Sequence, residues 1–205
     1  MRVPLAADFY ARDVVQVAID LLGTELVRRT REGLTSGLIV EVEAYLAERD
    51  PACHASRGRT ASNEAMFGAP GTAYVYPIHG RHCFNVVTEA KGRPSAVLIR
   101  AIEPLAGRPL MERRRGDVPA CDLARGPARL CQAMAIDRAD NQRLLTSGSS
   151  LWLARSQQPG DMLPIACSPR IGVSRAQHRY LRFFLAGHAA VSGPRKVSSW
   201  RWLRQ

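Results

Sequence analysis

The chain nearly lacks lysine. Of its 29 basic residues only Lys91 and Lys196 carry a side-chain amine, and the rest are arginine. Schiff-base chemistry needs an amine nucleophile, so it has two candidate side chains at most. Cysteine is sparse too: Cys53, Cys83, Cys121, Cys131 and Cys167 are odd in number and irregular in spacing. Without a C-x-x-C they argue against a zinc ribbon or redox pair, and for buried thiols in a reducing compartment. No apolar run approaches the ~18–20 residues that a bilayer span needs, and the N-terminus lacks a signal-peptide core. A cytoplasmic protein without membrane contact is expected. A Walker loop, GxGxxG, GxSxG and HExxH are all missing, which removes the nucleotide-triphosphate, dinucleotide, α/β-hydrolase and zincin readings. Cys53-His54 and His79-x-x-His82-Cys83 offer metal-ligand residue types, but their spacing matches no metal motif, including the zinc-deaminase pattern. Neither a metal nor a cofactor is expected.

What is present is charge of one sign. The 205 residues carry a formal net charge of +11, with a pI near 10.3. A polyanionic partner, nucleic acid or acidic lipid, fits that excess. Length and an ordinary globular composition predict one domain, 1–205, with 1–10 and 194–205 as peripheral tails.

The stretch Gly37–His54 (GLIVEVEAYLAERDPACH) organises the rest. Its first half reads as a strand, so Leu38, Val40, Val42 and Ala44 share one face and Ile39, Glu41, Glu43 and Tyr45 the other. Two carboxylates and a tyrosine on one strand face suit either a solvated surface or the wall of a pocket. Adjacent carboxylates repel, and Arg100 is the best candidate to neutralise one of them. A glutamate beside an arginine can act as a general base on water.

Elsewhere Asp13–Leu22 predicts a helix capped by Asp13 and ended by Gly23. Thr24–Arg29 forms a hairpin with the organising strand, and Ala55–Asn63 is a basic loop before a helical turn at Glu64–Phe67. Thr72–His79, His82–Thr88 and Ser95–Ile102 read as a meander turning at Gly80-Arg81 and near Lys91-Gly92. Pro77 suits a strand end that projects beyond the sheet. A basic segment, Gly107–Gly116, precedes a helix opened by Gly126-Pro127. Leu151–Leu153, Ile165–Ala166, Ile171–Val173 and Leu181–Leu185 read as further short strands. The fold class is α+β. Tyr74 and Tyr76 share a face and suit either packing or base stacking, and the hairpin tip His79-Gly80-Arg81 suits a nucleic-acid groove.

Several motifs occur in a family order: GLIVEVEAY (Gly37–Tyr45), His54, GTAYVY (Gly71–Tyr76), Asn85-Val86-Val87, VLIRAIEPLAG (Val97–Gly107), GPARLCQA (Gly126–Ala133) and RIGV (Arg170–Val173). Together they resemble the 3-methyladenine, or alkyladenine, DNA glycosylases from about Leu21 to Phe184. The resemblance implies a compact domain around a curved, mainly antiparallel sheet with peripheral helices and a protruding hairpin that enters the minor groove. It implies an enzyme that flips alkylated purines from duplex DNA and hydrolyses their N-glycosidic bond without cutting the strand. A monomer, nucleoid-associated if bacterial, is the default expectation. By position, Glu43 matches the water-activating base and Arg100 the arginine that holds it. Tyr45 matches one wall of the base pocket, His54 and Tyr76 the other, and Asn85 the purine-discriminating asparagine. Ile171 and Val173 lie in the stretch whose backbone reaches the catalytic water. His79 stands where the family carries a bulky tyrosine wedge, with Arg81 as the rival; the hairpin is one residue shorter than usual. A non-catalytic nucleic-acid-binding module and an RNA-directed protein are the competing readings.

Overall fold

In the computed structural model, which describes residues 2–156, 163–193 and 200–203, the described strands form a single nine-stranded antiparallel sheet. The strands are β1 (Glu25–Thr30), β2 (Gly33–Tyr45), β3 (Ala73–Ile78), β4 (Arg81–Thr88), β5 (Ser95–Ala106), β6 (Leu151–Ala154), β7 (Ile165–Ser168), β8 (Arg182–Leu185) and β9 (Arg201–Trp202). They run β3-β4-β5-β2-β8-β7-β9, while β1 pairs with the first half of β2 and carries β6. The helices α1 (Ala7–Tyr10), α2 (Val14–Leu21), α3 (Arg108–Arg115) and α4 (Pro127–Met134) are short and peripheral. This is the α+β architecture expected.

Period-two alternation divides the central sheet into two faces. Val40, Val42 and Ala44 of β2, Ala73 and Val75 of β3, Phe84 and Val86 of β4, and Val97, Ile99 and Ala101 of β5 enter the main core. Against them pack Val14, Val17, Ala18 and Leu21 of α2 and Leu130, Cys131, Ala133 and Met134 of α4. The alternate residues face the other way, where Tyr74, Val87 and Ala96 meet Cys53, Ala55, Ala65 and Met66 in a second, smaller cluster. The segment 50–67 roofs that second face with two turns of 3₁₀ helix, His54–Arg57 and Glu64–Phe67.

The hairpin projects as Pro77 suggested. Strand β4 pairs with β5 only from Asn85 to Thr88, so Arg81–Phe84 have β3 alone as a sheet partner. Its turn is His79-Gly80 rather than Gly80-Arg81: Ile78 pairs with Arg81, and both turn residues have positive φ. That is the pattern of a tight hairpin turn whose twist matches its strands. The outer edge of β3 is covered by 138–144, where the Arg138 guanidinium donates to Val75 O at 2.7 Å and Asn141 Oδ1 accepts from Val75 N at 2.9 Å.

Other expectations need correction. Within 2–10, expected to be part of a peripheral tail, Leu5 is buried and Tyr10 fully so. Of the basic tail, 194–199 and 204–205 lie outside the described residues; Arg201 and Trp202 add a short strand to β7 and remain exposed. Gly107–Gly116 contains α3, which buries Met111. Ile171–Val173 is a loop.

Gly107 joins β5 to α3 at φ +69, and an added Cβ would lie 2.2 Å from Leu34 O on the neighbouring strand. Left-handed backbone and backbone overlap both penalise a side chain there. Gly107→Ala is expected to lower the urea-unfolding free energy by about 2–4 kcal/mol. Gly92→Ala, with positive φ but open space around it, is the control and should lose less.

Candidate active site

The second face of the sheet collects the polar residues of four strands. Glu41, Glu43 and Tyr45 come from β2, Arg100 from β5, Asn85 from β4, and Tyr74 and Tyr76 from β3. Glu41 and Glu43 are fully buried, so the solvated-surface alternative fails.

The two glutamates do different work. Glu41 Oε1 accepts from Arg100 Nε at 2.8 Å, Arg182 Nε at 2.6 Å and Ser192 Oγ at 2.9 Å, and its Oε2 accepts from Ser192 N at 2.7 Å. Burial alone would raise its pKa, but Arg100 and Arg182 outweigh burial and hold it below the usual carboxylate range. Every strong donor around Glu41 belongs to the protein frame. Glu43 lies one pleat further along. Its Oε1 accepts from Ile171 N at 2.7 Å and pairs with the Arg100 guanidinium at 3.1 Å, while Oε2 accepts from Tyr45 OH at 2.9 Å. Arg100 bridges the two carboxylates and adds a bond to Ser192 Oγ at 3.2 Å. Burial favours its neutral form, but Glu43 and Glu41 more than offset that and keep it charged.

Ile171 reaches Glu43 because Arg170 is clamped. Its guanidinium makes a bidentate pair with Asp50 at 2.6 and 2.7 Å, donates to Ala44 O at 3.0 Å, and lies 4.6 Å from the centre of the Tyr45 ring. Gly172 at φ +77 then turns the chain outward. Val173 does not reach the carboxylates; its carbonyl accepts from the Gln177 side chain.

Tyr45, which bonds Glu43, also lines a narrow slot together with His54, Met66, Tyr74, Tyr76, Asn85 and Ala96. It is narrow, with room for about one water molecule. His54 stands exposed at the rim, with Nδ1 2.8 Å from Tyr74 OH and its ring 4.5 Å from that of Tyr76. Desolvation against these rings lowers its pKa, which favours neutral imidazole. Asn63 holds the rim by donating to the carbonyls of His54 and Gly58. The Asn85 side chain donates to Tyr74 O at 3.0 Å.

A buried carboxylate with three donors, one of them a tyrosine that lines an aromatic slot, on a basic protein, is the layout that the motifs suggested. The sequence profile described as Methylpurine-DNA glycosylase (MPG) matches residues 8–189. The chain belongs to this family. The glycosylase is 47% identical over 189 residues, 92% of its length, to a protein of Carboxydothermus hydrogenoformans, of which 98% is covered. It is 47% identical over 191 residues to one of Methanoculleus marisnigri (92% of this chain, 98% of the relative). A Rubrobacter xylanophilus protein is 45% identical over 188 residues, covering 91% of this chain and 96% of the relative. Each of the three is named "Putative 3-methyladenine DNA glycosylase".

Among the residues picked from sequence, Glu43, Arg100, Tyr45 and Ile171 interlock directly, and His54, Tyr76 and Asn85 line the slot with Tyr45. His79 and Arg81 stand apart on the hairpin. His79 is exposed at the tip, whereas Arg81 is drawn back to Gln132 Oε1 on α4. Two residues of this candidate site escaped, whereas Tyr74, singled out from the sequence with Tyr76, lines the slot. Met66 gave no signal. Asp50 reads as part of a turn before Pro51, and its partner Arg170 is 120 positions away.

Proposed function

We propose that this glycosylase flips an alkylated purine out of duplex DNA from the minor-groove side and hydrolyses its N-glycosidic bond as a monomer. Glu43 carries the reading: a buried carboxylate paired with Arg100 and donated to by Ile171 N and by the hydroxyl of Tyr45, which lines the slot. Alkylation at N3 or N7 leaves the purine positively charged. As the C1′–N9 bond breaks, its electron pair neutralises that charge. Water attacks C1′ and gives its proton to Glu43. Tyr45 on one side, and Tyr76 with His54 on the other, offer electron-rich surface to the cationic ring. Asn85 reads the purine edge, and His79 fills the gap left in the stack while Arg81 stays anchored to Gln132. Widening the slot for a base is part of binding, and the flip costs less for a weakly paired damaged base.

The product is an intact strand with an abasic site. Lys91 lies on an exposed turn between β4 and β5, and Lys196 lies outside the described residues, so among the described residues no lysine amine is offered at the site for strand cleavage. The test is a release assay on duplexes carrying one 3-methyladenine-type lesion, with borohydride present. Free purine and no trapped protein–DNA adduct is the expected result. Absence of base release removes the hydrolytic reading, and a trapped adduct removes the strand-sparing part.

A further inference from the structure

Tyr45 has two faces, and one is occupied. The Arg170 guanidinium lies 4.6 Å from the ring centre, and its side chain is completely buried with that of Asp50. Only the opposite face of Tyr45 is left for the slot it lines. Among the described residues, Arg170 is the one cation stacked on a slot tyrosine.

We propose that Arg170 is a specificity-determining residue: its guanidinium behind Tyr45 weakens the slot's preference for positively charged purines, so that neutral damaged purines are released as well. The inference rests on the proposed function. An aromatic face attracts a cation through its electron-rich quadrupole. A buried cation on the far face draws on the same electrons and repels a second cation across the ring with little water to screen it. Asp50 neutralises Arg170 overall, but its oxygens bind the outer guanidinium nitrogens, so it is the guanidinium that contacts the ring. A neutral purine stacks on Tyr45 without that repulsion. Arg170 thus has two separable consequences. Its bonds to Asp50 and Ala44 hold Ile171 against Glu43, which serves every substrate alike. Its charge alone distinguishes a cationic base from a neutral one.

The experiment compares single-turnover release of 7-methylguanine, cationic in DNA, with release of hypoxanthine, a neutral purine, from otherwise identical duplexes. In the double variant Asp50→Asn, Arg170→Gln, both rates should fall because the clamp is weaker. The ratio of cationic to neutral release should rise about three- to tenfold. Arg170→Lys, which loses the bidentate geometry but keeps the charge, should slow both reactions and leave the ratio near wild type. If the double variant does not unfold cooperatively like wild type, Arg170→Met supplies the uncharged case, with the same expected rise.

An unchanged ratio in the uncharged variant overturns the inference, as does a ratio that rises equally in Arg170→Lys. Wild type that releases 7-methylguanine but no hypoxanthine overturns it too. Wild type that releases neither base refutes the proposed function instead, so the two failures are told apart.

Discussion

Glu43→Gln is expected to lower base release by at least about a thousandfold while leaving tight binding to damaged duplex intact. The substitution keeps the shape of the site. One side-chain oxygen can still accept from Ile171 N and Arg100, and the new amide can donate to the Tyr45 hydroxyl oxygen, reversing that bond. What disappears is the ability to take a proton from water. Single-turnover release and equilibrium binding, measured on the same lesioned duplex, separate the two consequences. Excision at wild-type rate would refute Glu43 as the base. Loss of binding in parallel with loss of release would show that the carboxylate mainly holds the slot together.

Glu41→Ala should have the opposite profile, with a large loss of stability of about 3–5 kcal/mol. Removing Glu41 strands four donors in a dry interior: Arg100 Nε, Arg182 Nε, Ser192 N and Ser192 Oγ. Arg182 keeps its bonds to Ser168 Oγ and Ser192 O but loses its only carboxylate among the described residues. Urea unfolding gives the loss directly. The pH dependence supplies a second check. The folded pKa of Glu41 lies below its ordinary 4.5, so its contribution is complete above about pH 4.5 and is lost as pH falls further. The gap between wild type and Glu41→Ala should therefore narrow on acidification through that window. A gap that stayed constant would assign the loss to packing rather than to the ion pairs.

The two glutamates also show what a sequence can and cannot disclose. Alternation in β2 put both on one face with Tyr45, and the structure keeps them there. Alternation could not say that the face is roofed, because much of the roof is the polar stretch Ala55–Asn63, whose pattern reads as a loop. Nor could it separate Glu41 from Glu43. That difference comes from Arg182 and Ser192, which meet Glu41 across 141 and 151 positions of chain. Ile171 read as a strand residue because Ile171–Val173 is a short apolar run, yet its N–H bonds a carboxylate rather than a ladder partner, and Gly172 has positive φ. The run Arg113–Arg115 read only as part of a basic segment, with no element assigned to it. It is helical because Met111 anchors one side while Arg114 bonds Ala133 O and Glu32, and Arg115 bonds Leu123 O and Gln132.

The narrowness of the slot bears on how the protein searches DNA. Tyr45, Tyr74, Tyr76, Asn85 and Ala96 are fixed in strands, whereas His54 and Met66 belong to the roof. In the proposed reaction a purine enters by displacing roof residues rather than strand residues, at a cost that falls on every nucleotide tried. Where the open form is a minority, measured affinity is reduced by its population. On that proposal an undamaged, well-paired base bears the cost on top of its own unstacking. The narrow slot then acts as a toll on sampling that spares a strongly basic protein from lingering at each step of intact polymer.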